Sequence, residues 1–296
     1  MREDEVDLQL NKRRIAFLAT IAILIAVIIG TSAYFIVKGP KKLPGTGGIS
    51  VVNSMTDNGK IVIKDPYEGE KEIPNYKYKV SSYKAEDFVT DEDNIVSYAG
   101  NKKTGINVTY KNGDIDWVKV KESGVDFAMI RVGYRGQYDG KMYPDQMFEK
   151  NIQGAIDAGV EVGVYYYSKA ISEDDADKEA SELLEKIKSY SITYPVAFYW
   201  EFTQNPTKGK TPITAECTPA QVTSFAQTFC EKVEKEGFNA AIFVTKDMGY
   251  EYFNLDKLSK YDIWYSEYRK KPAFYYDFSM WQYSEKGTVN GVNGDV

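Results

Sequence analysis

The sequence predicts an α/β protein, an irregular β/α barrel preceded by an N-terminal transmembrane helix and a short β-rich extension. Three observations lead there. Residues 15–37 form a run of 23 uncharged residues rich in Ile, Ala and Val. Residues 61–100 hold short alternating stretches broken by Asp65-Pro66 and Ile73-Pro74. From Thr104 onward, strand-length apolar runs alternate with amphipathic helical stretches, the pattern of a parallel sheet with helices outside it.

Taken in order, residues 1–14 read as a cytoplasmic tail. At 1.5 Å per residue the uncharged run spans roughly 34 Å, enough for a bilayer core with slight tilt. It exceeds a signal-peptide core of about 7–15 residues, and no A-x-A-like cleavage site follows, so it reads as an uncleaved anchor. Lys12, Arg13 and Arg14 abut its start, which favours an internal N-terminus and an extracytoplasmic main domain. Residues 38–60 read as a linker rich in Gly, Ser and Asn. Within it, Leu43-Pro44-Gly45-Thr46-Gly47 spells a sortase signal, but it follows the hydrophobic segment instead of preceding one. Residues 61–100 read as a small β-rich extension or stalk.

Residues 101–296 carry the barrel pattern. Strands are expected over 105–109, 127–132, 161–168, 196–202, 240–245, 262–265 and 279–283, with helices over 145–158, 174–190 and 218–236. Thr218-Pro219-Ala220-Gln221 is a helix start: a capping Thr, Pro at the first helical position and Gln at the third. Asp116 and Asp145 are expected to cap turns or helices. Arg131, in a strand interior, is expected to find a buried carboxylate. No Gly-rich phosphate fingerprint follows any strand, which removes a nucleotide-binding fold.

Composition excludes several chemistries. The chain has 24 tyrosines and no histidine, so imidazole acid–base chemistry, Ser-His or Cys-His nucleophiles and histidine zinc sites are absent. No metal and no cofactor is expected. Residues 1–42 hold seven Lys/Arg against four Asp/Glu, which leaves the remainder at a net charge of −9. A domain that acidic, with no basic stripe, is not a nucleic-acid binder. Cys217 and Cys230 would lie about 19 Å apart along one helix, too far for a disulfide.

The most informative segment is Pro195-Val196-Ala197-Phe198-Tyr199-Trp200-Glu201-Phe202. A buried-type strand ends in one glutamate, with Tyr199 two residues earlier on the same face. A glycosidase presents paired carboxylates to one pocket in this way; here Glu201 is the single acid.

The order of local phrases extends the point. Gly105-Ile106-Asn107-Val108-Thr109 is followed by Gly113-Asp114-Ile115-Asp116-Trp117 and by the strand Phe127-Ala128-Met129-Ile130-Arg131-Val132-Gly133-Tyr134. Then come Val162-Gly163-Val164-Tyr165-Tyr166-Tyr167-Ser168, the Tyr199–Glu201 strand, Asp262-Ile263-Trp264 with Tyr268, and Trp281-Gln282-Tyr283-Ser284. This succession resembles glycoside hydrolase family 25, the Chalaropsis-type lysozymes that cleave peptidoglycan. The resemblance implies an irregular, TIM-like barrel with its site at the C-terminal ends of the strands. It implies Glu201 as general acid, and it marks Asn107, Tyr199 and Ser279 as positions where the family usually carries aspartate. Asp277 and Tyr199 are the two candidates to replace the missing charge, Tyr199 as a nucleophile.

Trp264, Tyr268, Trp281, Tyr283 and Tyr165 are candidates for a sugar-stacking wall, with ordinary barrel core as the alternative for strand aromatics. The expected function is a membrane-anchored, extracytoplasmic lysozyme-like module of a Gram-positive-type envelope. Most of its catalytic carboxylates are replaced, and it binds peptidoglycan glycan strands or an envelope protein. The rivals are an active muramidase using Glu201, and a protein-binding scaffold with no affinity for glycan.

Overall fold

The computed structural model describes residues 49–53, 59–92, 94–100, 103–204 and 206–296. The expected transmembrane helix lies outside the described residues, and among these no helix is long and apolar enough to cross a membrane. The N-terminal part holds β1 (Ser50–Asn53), β2 (Lys60–Asp65) and β3 (Gly69–Pro74) in one antiparallel sheet. β4 (Phe88–Thr90) and β5 (Val96–Tyr98) form a second, two-stranded unit.

The larger part runs β6 (Gly105–Val108), α1 (Trp117–Glu122), β7 (Phe127–Arg135), β8 (Met142–Pro144), α2 (Phe148–Asp157) and β9 (Glu161–Ser168). It continues with α3 (Glu173–Ile187), β10 (Val196–Trp200), α4 (Pro219–Lys235), β11 (Ala240–Thr245), β12 (Asp262–Ser266) and β13 (Met280–Gln282). The sheet order is β13-β12-β11-β10-β9-β7-β6, parallel throughout, with β8 antiparallel to β7. The sheet curls into a half-barrel whose terminal strands, β13 and β6, do not pair.

The local chemistry explains these elements. β10 is buried at every position except the half-buried Tyr199, as expected for a parallel strand covered on both faces. Ser172 caps α3 by accepting from the Asp175 amide, and Glu173, Asp174 and Asp175 set negative charge against the positive end of its dipole. Its inner face buries Ala176, Ala180, Leu183 and Ile187, and each large side chain there contributes about 1.5–3 kcal/mol. α4 starts at Pro219 with the capping box of Thr218 and Gln221, as the sequence indicates. Gly163 is required by close approach: a Cβ there would meet the Pro195 carbonyl at 2.9 Å and the Met129 sulfur at 2.6 Å. Both cysteines are free.

Asp116 caps α1 through the Lys119 amide. Asp145 does not cap α2, which begins three residues later with Met147 at its cap position. Its Oδ2 accepts from Arg131 Nε at 2.9 Å and from the Tyr110 amide at 3.1 Å, while Oδ1 takes the Met147 amide. The buried guanidinium outcompetes the helix for this carboxylate, because an unpaired buried charge costs more than a missing cap.

The extension packs along the barrel. Val80 bridges Tyr276, the Ser81 amide donates to the Tyr275 carbonyl, and the Asp277 amide donates to the Lys79 carbonyl. The hydroxyls of Tyr78 and Tyr83 donate to the carbonyls of Tyr261 and Phe278, and Phe88 meets Trp281 edge-on at 5.4 Å. The β2–β3 hairpin is fastened by charge. Lys246 Nζ, just past β11, lies 2.7 Å from Asp65, 3.0 Å from Glu68 and 2.9 Å from Glu267. Asp65 is fully buried and the Lys246 side chain is 8% exposed. Breaking a buried pair by removing one partner costs about 3–5 kcal/mol. Lys246→Met should therefore lower the urea midpoint and make the hairpin the first site of limited proteolysis; an unchanged midpoint would show that the contact carries no stability.

A second buried charge group lies between sheet and helices. Arg135 Nε donates to Glu179 at 2.6 Å and Nη1 lies 3.2 Å from Asp175. Burial pushes the Glu179 carboxyl from 4.5 up to about 7, against hydrogen bonds from Ser168 and Arg135 that pull it down. An acid that holds its proton more tightly when folded contributes stability below its unfolded pKa and loses it as pH rises through the folded value. Stability should thus fall between about pH 4.5 and 7 through this group. Glu179→Gln should flatten that part of the Tm–pH curve, and parallel curves for wild type and variant would refute the assignment.

Candidate active site

Alternate residues of each parallel strand point into the half-barrel. Those inward positions carry Asn107, Met129, Tyr165, Tyr167, Ala197, Tyr199, Ala241, Phe243, Trp264 and Met280, and all but Asn107 pack as one apolar cluster. Tyr199 is the centre of it. Its ring stacks on Phe243 at 3.5 Å between centroids and 10° between planes, and meets Trp264 edge-on at 5.7 Å. Tyr165 and Tyr167 flank it at 5.4 and 5.2 Å. The middle tyrosine of the triplet, Tyr166, faces the helices and reaches Glu182. Burial pushes the Tyr199 phenol well above its ordinary value, with Glu201 adding to the shift. A phenolate is therefore disfavoured here, which argues against Tyr199 as a nucleophile.

Glu201 follows β10 directly and stands at the C-terminal rim of the half-barrel. Two residues from the end of β9 hold it. The Tyr167 hydroxyl donates to Glu201 Oε1 at 2.8 Å. The ammonium of Lys169, which is buried, donates to the Glu201 backbone carbonyl at 2.5 Å and lies 4.9 Å from the Tyr167 ring. Burial pushes Lys169 down to about 8, with Glu201 pulling the other way. Trp200 points to the opposite face, where its indole N–H donates to the Ala170 carbonyl.

Below the rim, the Asn107 side chain hydrogen-bonds the Tyr165 phenol, and its Oδ1 is buried with no partner. Arg131 meets Asp145 through Nε and Nη2 and packs against the rings of Tyr110 and Tyr134. At the ends of β11 and β12 opens a cleft of about 340 Å³ lined by Thr245, Lys246, Asp247, Ser266, Glu267, Tyr268, Arg269 and Glu68 of the hairpin.

The structure thus brings Glu201, Asn107, Tyr199, Tyr165 and Trp264 to one end of the barrel. Trp264 and Tyr165 are 3% and 2% exposed, so they are barrel core and present no open stacking face. Tyr268, 47% exposed, stands at the cleft. Ser279 is not in the site. It precedes Met280, which packs inward, so by strand alternation it faces out, where it is exposed and donates to the Ile263 carbonyl. Trp281 shares that outer face: Phe88 covers it and its indole N–H donates to the Glu267 carbonyl. Tyr283 packs on Trp281 at 5.4 Å. Asp277 pairs with Lys79 at 2.5 Å.

Two rim residues escape a sequence reading. Tyr167 was within reach of it, because its alternation with Tyr165 puts it inward at the last strand position. Lys169 leaves no such signal, since a lysine after an apolar strand ordinarily reads as a solvated end.

A parallel β/α half-barrel places its candidate site, here the Glu201 rim, at the C-terminal ends of its strands. The family profile of glycosyl hydrolases family 25 matches residues 106–292, and the chain belongs to that family. It is 26% identical over 197 residues to an autolytic lysozyme of Clostridium acetobutylicum, covering 65% of this chain and 53% of that protein. It is 34% identical over 65 residues to lysozyme M1 of Streptomyces globisporus, covering 22% of this chain and 20% of that one. The chain therefore spans about half the length of the first relative and a fifth of the second. In fold it is similar to the modular autolysin LytC of Streptococcus pneumoniae, solved with a synthetic peptidoglycan ligand. That likeness has a TM-score of 0.56 and 21% identity, over 83% of this chain and 57% of that one. It is also similar to the bacterial lysozyme of Streptomyces coelicolor, with a TM-score of 0.52 and 23% identity over 66% and 90% of the two chains.

Because Tyr199 makes four ring contacts in the interior, its loss leaves a void that the strands cannot close. Tyr199→Ala should cost about 3 kcal/mol, the low end for a large aromatic, read as a shift in urea midpoint. A neutral result would mean that the ring is not part of the packing.

Proposed function

We propose that the chain is a membrane-anchored, extracytoplasmic module that binds peptidoglycan glycan strands at the Glu201 rim and hydrolyses them weakly or not at all. The anchor is the uncharged run 15–37. One observation carries the reading: the inward position two residues before Glu201 holds a phenol stacked at 3.5 Å on Phe243, where a second carboxylate would have to stand. Glycoside cleavage needs an acid on the leaving oxygen and a second group that stabilises positive charge at the sugar carbon or activates water. Glu201 supplies the first. Asn107 and Tyr199 are uncharged, and loss of one electrostatic stabiliser commonly costs about 10²–10³-fold in rate. Family membership and the retained glutamate rim support glycan as the ligand.

The test uses the full-length protein in detergent with purified peptidoglycan, read by co-sedimentation and by reducing-sugar release. Binding with release at background is expected, and an Asn107→Asp, Tyr199→Asp variant that folds should gain release. Wall digestion by the wild type, abolished in Glu201→Gln, would instead establish an active muramidase. Neither binding nor release would leave a scaffold that recognises protein.

A further inference from the structure

The least expected group in the molecule is the amine of Lys169. Its residue is fully buried, yet it meets no carboxylate within salt-bridge distance among the described residues. A buried ammonium without an anionic partner is costly, and such groups either neutralise or are retained for a specific interaction. The other buried cations behave ordinarily: Arg131 takes Asp145, Arg135 takes Glu179, and Lys246 takes three acids. Lys169 instead points its ammonium at one backbone carbonyl, that of Glu201, at 2.5 Å. The ring of Tyr167 lies 4.9 Å away and supplies a π-face in place of a counter-ion.

Glu201 is therefore held twice from the end of one neighbouring strand. Tyr167 fixes a carboxylate oxygen and Lys169 fixes the main chain from which the side chain projects. β10 ends at Trp200, so Glu201 is the first residue beyond the strand. We propose that Lys169 is a positioning residue for Glu201, holding its carbonyl so that the carboxylate stays under the Tyr167 hydroxyl at the rim. The inference rests on Glu201 being the functional acid of the site.

The geometry implies a pH limit. The titratable groups that face the amine are Glu201 and Tyr167. Burial lowers Lys169 to about 8, so its charge is lost in the mildly alkaline range and the hold on the carbonyl weakens. Tyr167 is shifted the other way by burial and by Glu201, and stays protonated throughout that range.

The test is NMR on the full-length protein carrying ¹³Cε-lysine and ¹³Cζ-tyrosine, with Lys169 and Tyr167 assigned by Lys169→Arg and Tyr167→Phe. Three results are expected. The Lys169 resonance titrates near 8 in the wild type. It titrates lower still in Glu201→Gln, because the carboxylate that supports the charge is gone. The Tyr167 resonance shifts in Lys169→Met as its bond to Glu201 is lost, and returns in Lys169→Arg. An ordinary lysine titration, or one indifferent to Glu201→Gln, would overturn the proposal. So would a Tyr167 signal that Lys169→Met leaves in place. If Lys169→Met does not fold, the Glu201→Gln titration still decides. Neither readout needs a ligand, so a failure to bind glycan is a separate result from a failure here.

Discussion

The interior of a parallel half-barrel has to be filled by alternate side chains of its own strands, and here aromatic rings fill it. Tyr165, Tyr167, Tyr199, Phe243 and Trp264 interlock with centroids 3.5–5.7 Å apart. Such packing fills the space below the rim with rings and puts a phenol at the inward position two residues before Glu201. It also sets the chemistry of what remains. The phenols are pushed up by burial, the single amine is pushed down, and hydrogen bonding concentrates on the one acid at the edge. Asn107 is a polar exception among these inward positions, and its Oδ1 is buried without a partner.

The extension solves a different problem. A sheet whose last strand, β13, has a partner on one side only would expose backbone and apolar surface beside the site. Residues 79–83 dock against 275–278 just before β13, Phe88 covers Trp281, and Lys246 gathers carboxylates from the hairpin and from the end of β12. The hairpin thereby brings Glu68 into the wall of the cleft at β11 and β12. Of the two readings the sequence allows, a stalk or an extension packed on the main domain, the contacts with residues 275–281 match the second.

The parallel sheet was legible because its signals are local. Buried-type strands such as 196–200, the Thr218–Gln221 cap and the Asp116 turn depend on neighbours within a few residues. Period two also separated Tyr165 and Tyr167 from Tyr166, and the fold shows that the first pair faces inward. What sequence could not supply was the phase of β13 relative to β12. One position of phase decides whether Ser279 or Met280 enters the interior, and the docking of the extension settles it by covering Trp281. Asp145 was misassigned for a similar reason: a local cap and a long-range buried guanidinium compete for one carboxylate, and only the fold shows the second competitor. Lys169 was invisible because burial of a lysine is a tertiary fact.

These placements bear on whether one acid suffices. Glu201 is held at both its carboxylate and its backbone, which limits rotamer and main-chain freedom at the rim. Preorganisation of this kind favours binding as much as chemistry, because a fixed acceptor loses little entropy when a sugar hydroxyl or amide donates to it. Turnover asks more: charge has to develop on the sugar and be met by a fixed negative group in a dry site. The aromatic interior itself supplies no charge, and the carboxylates of Glu68 and Glu267 at the neighbouring cleft are paired with Lys246. On the proposed reading, a rigid acceptor at an aromatic rim matches the ground state of a glycan, and by differential binding only contacts that strengthen in the transition state would accelerate its cleavage.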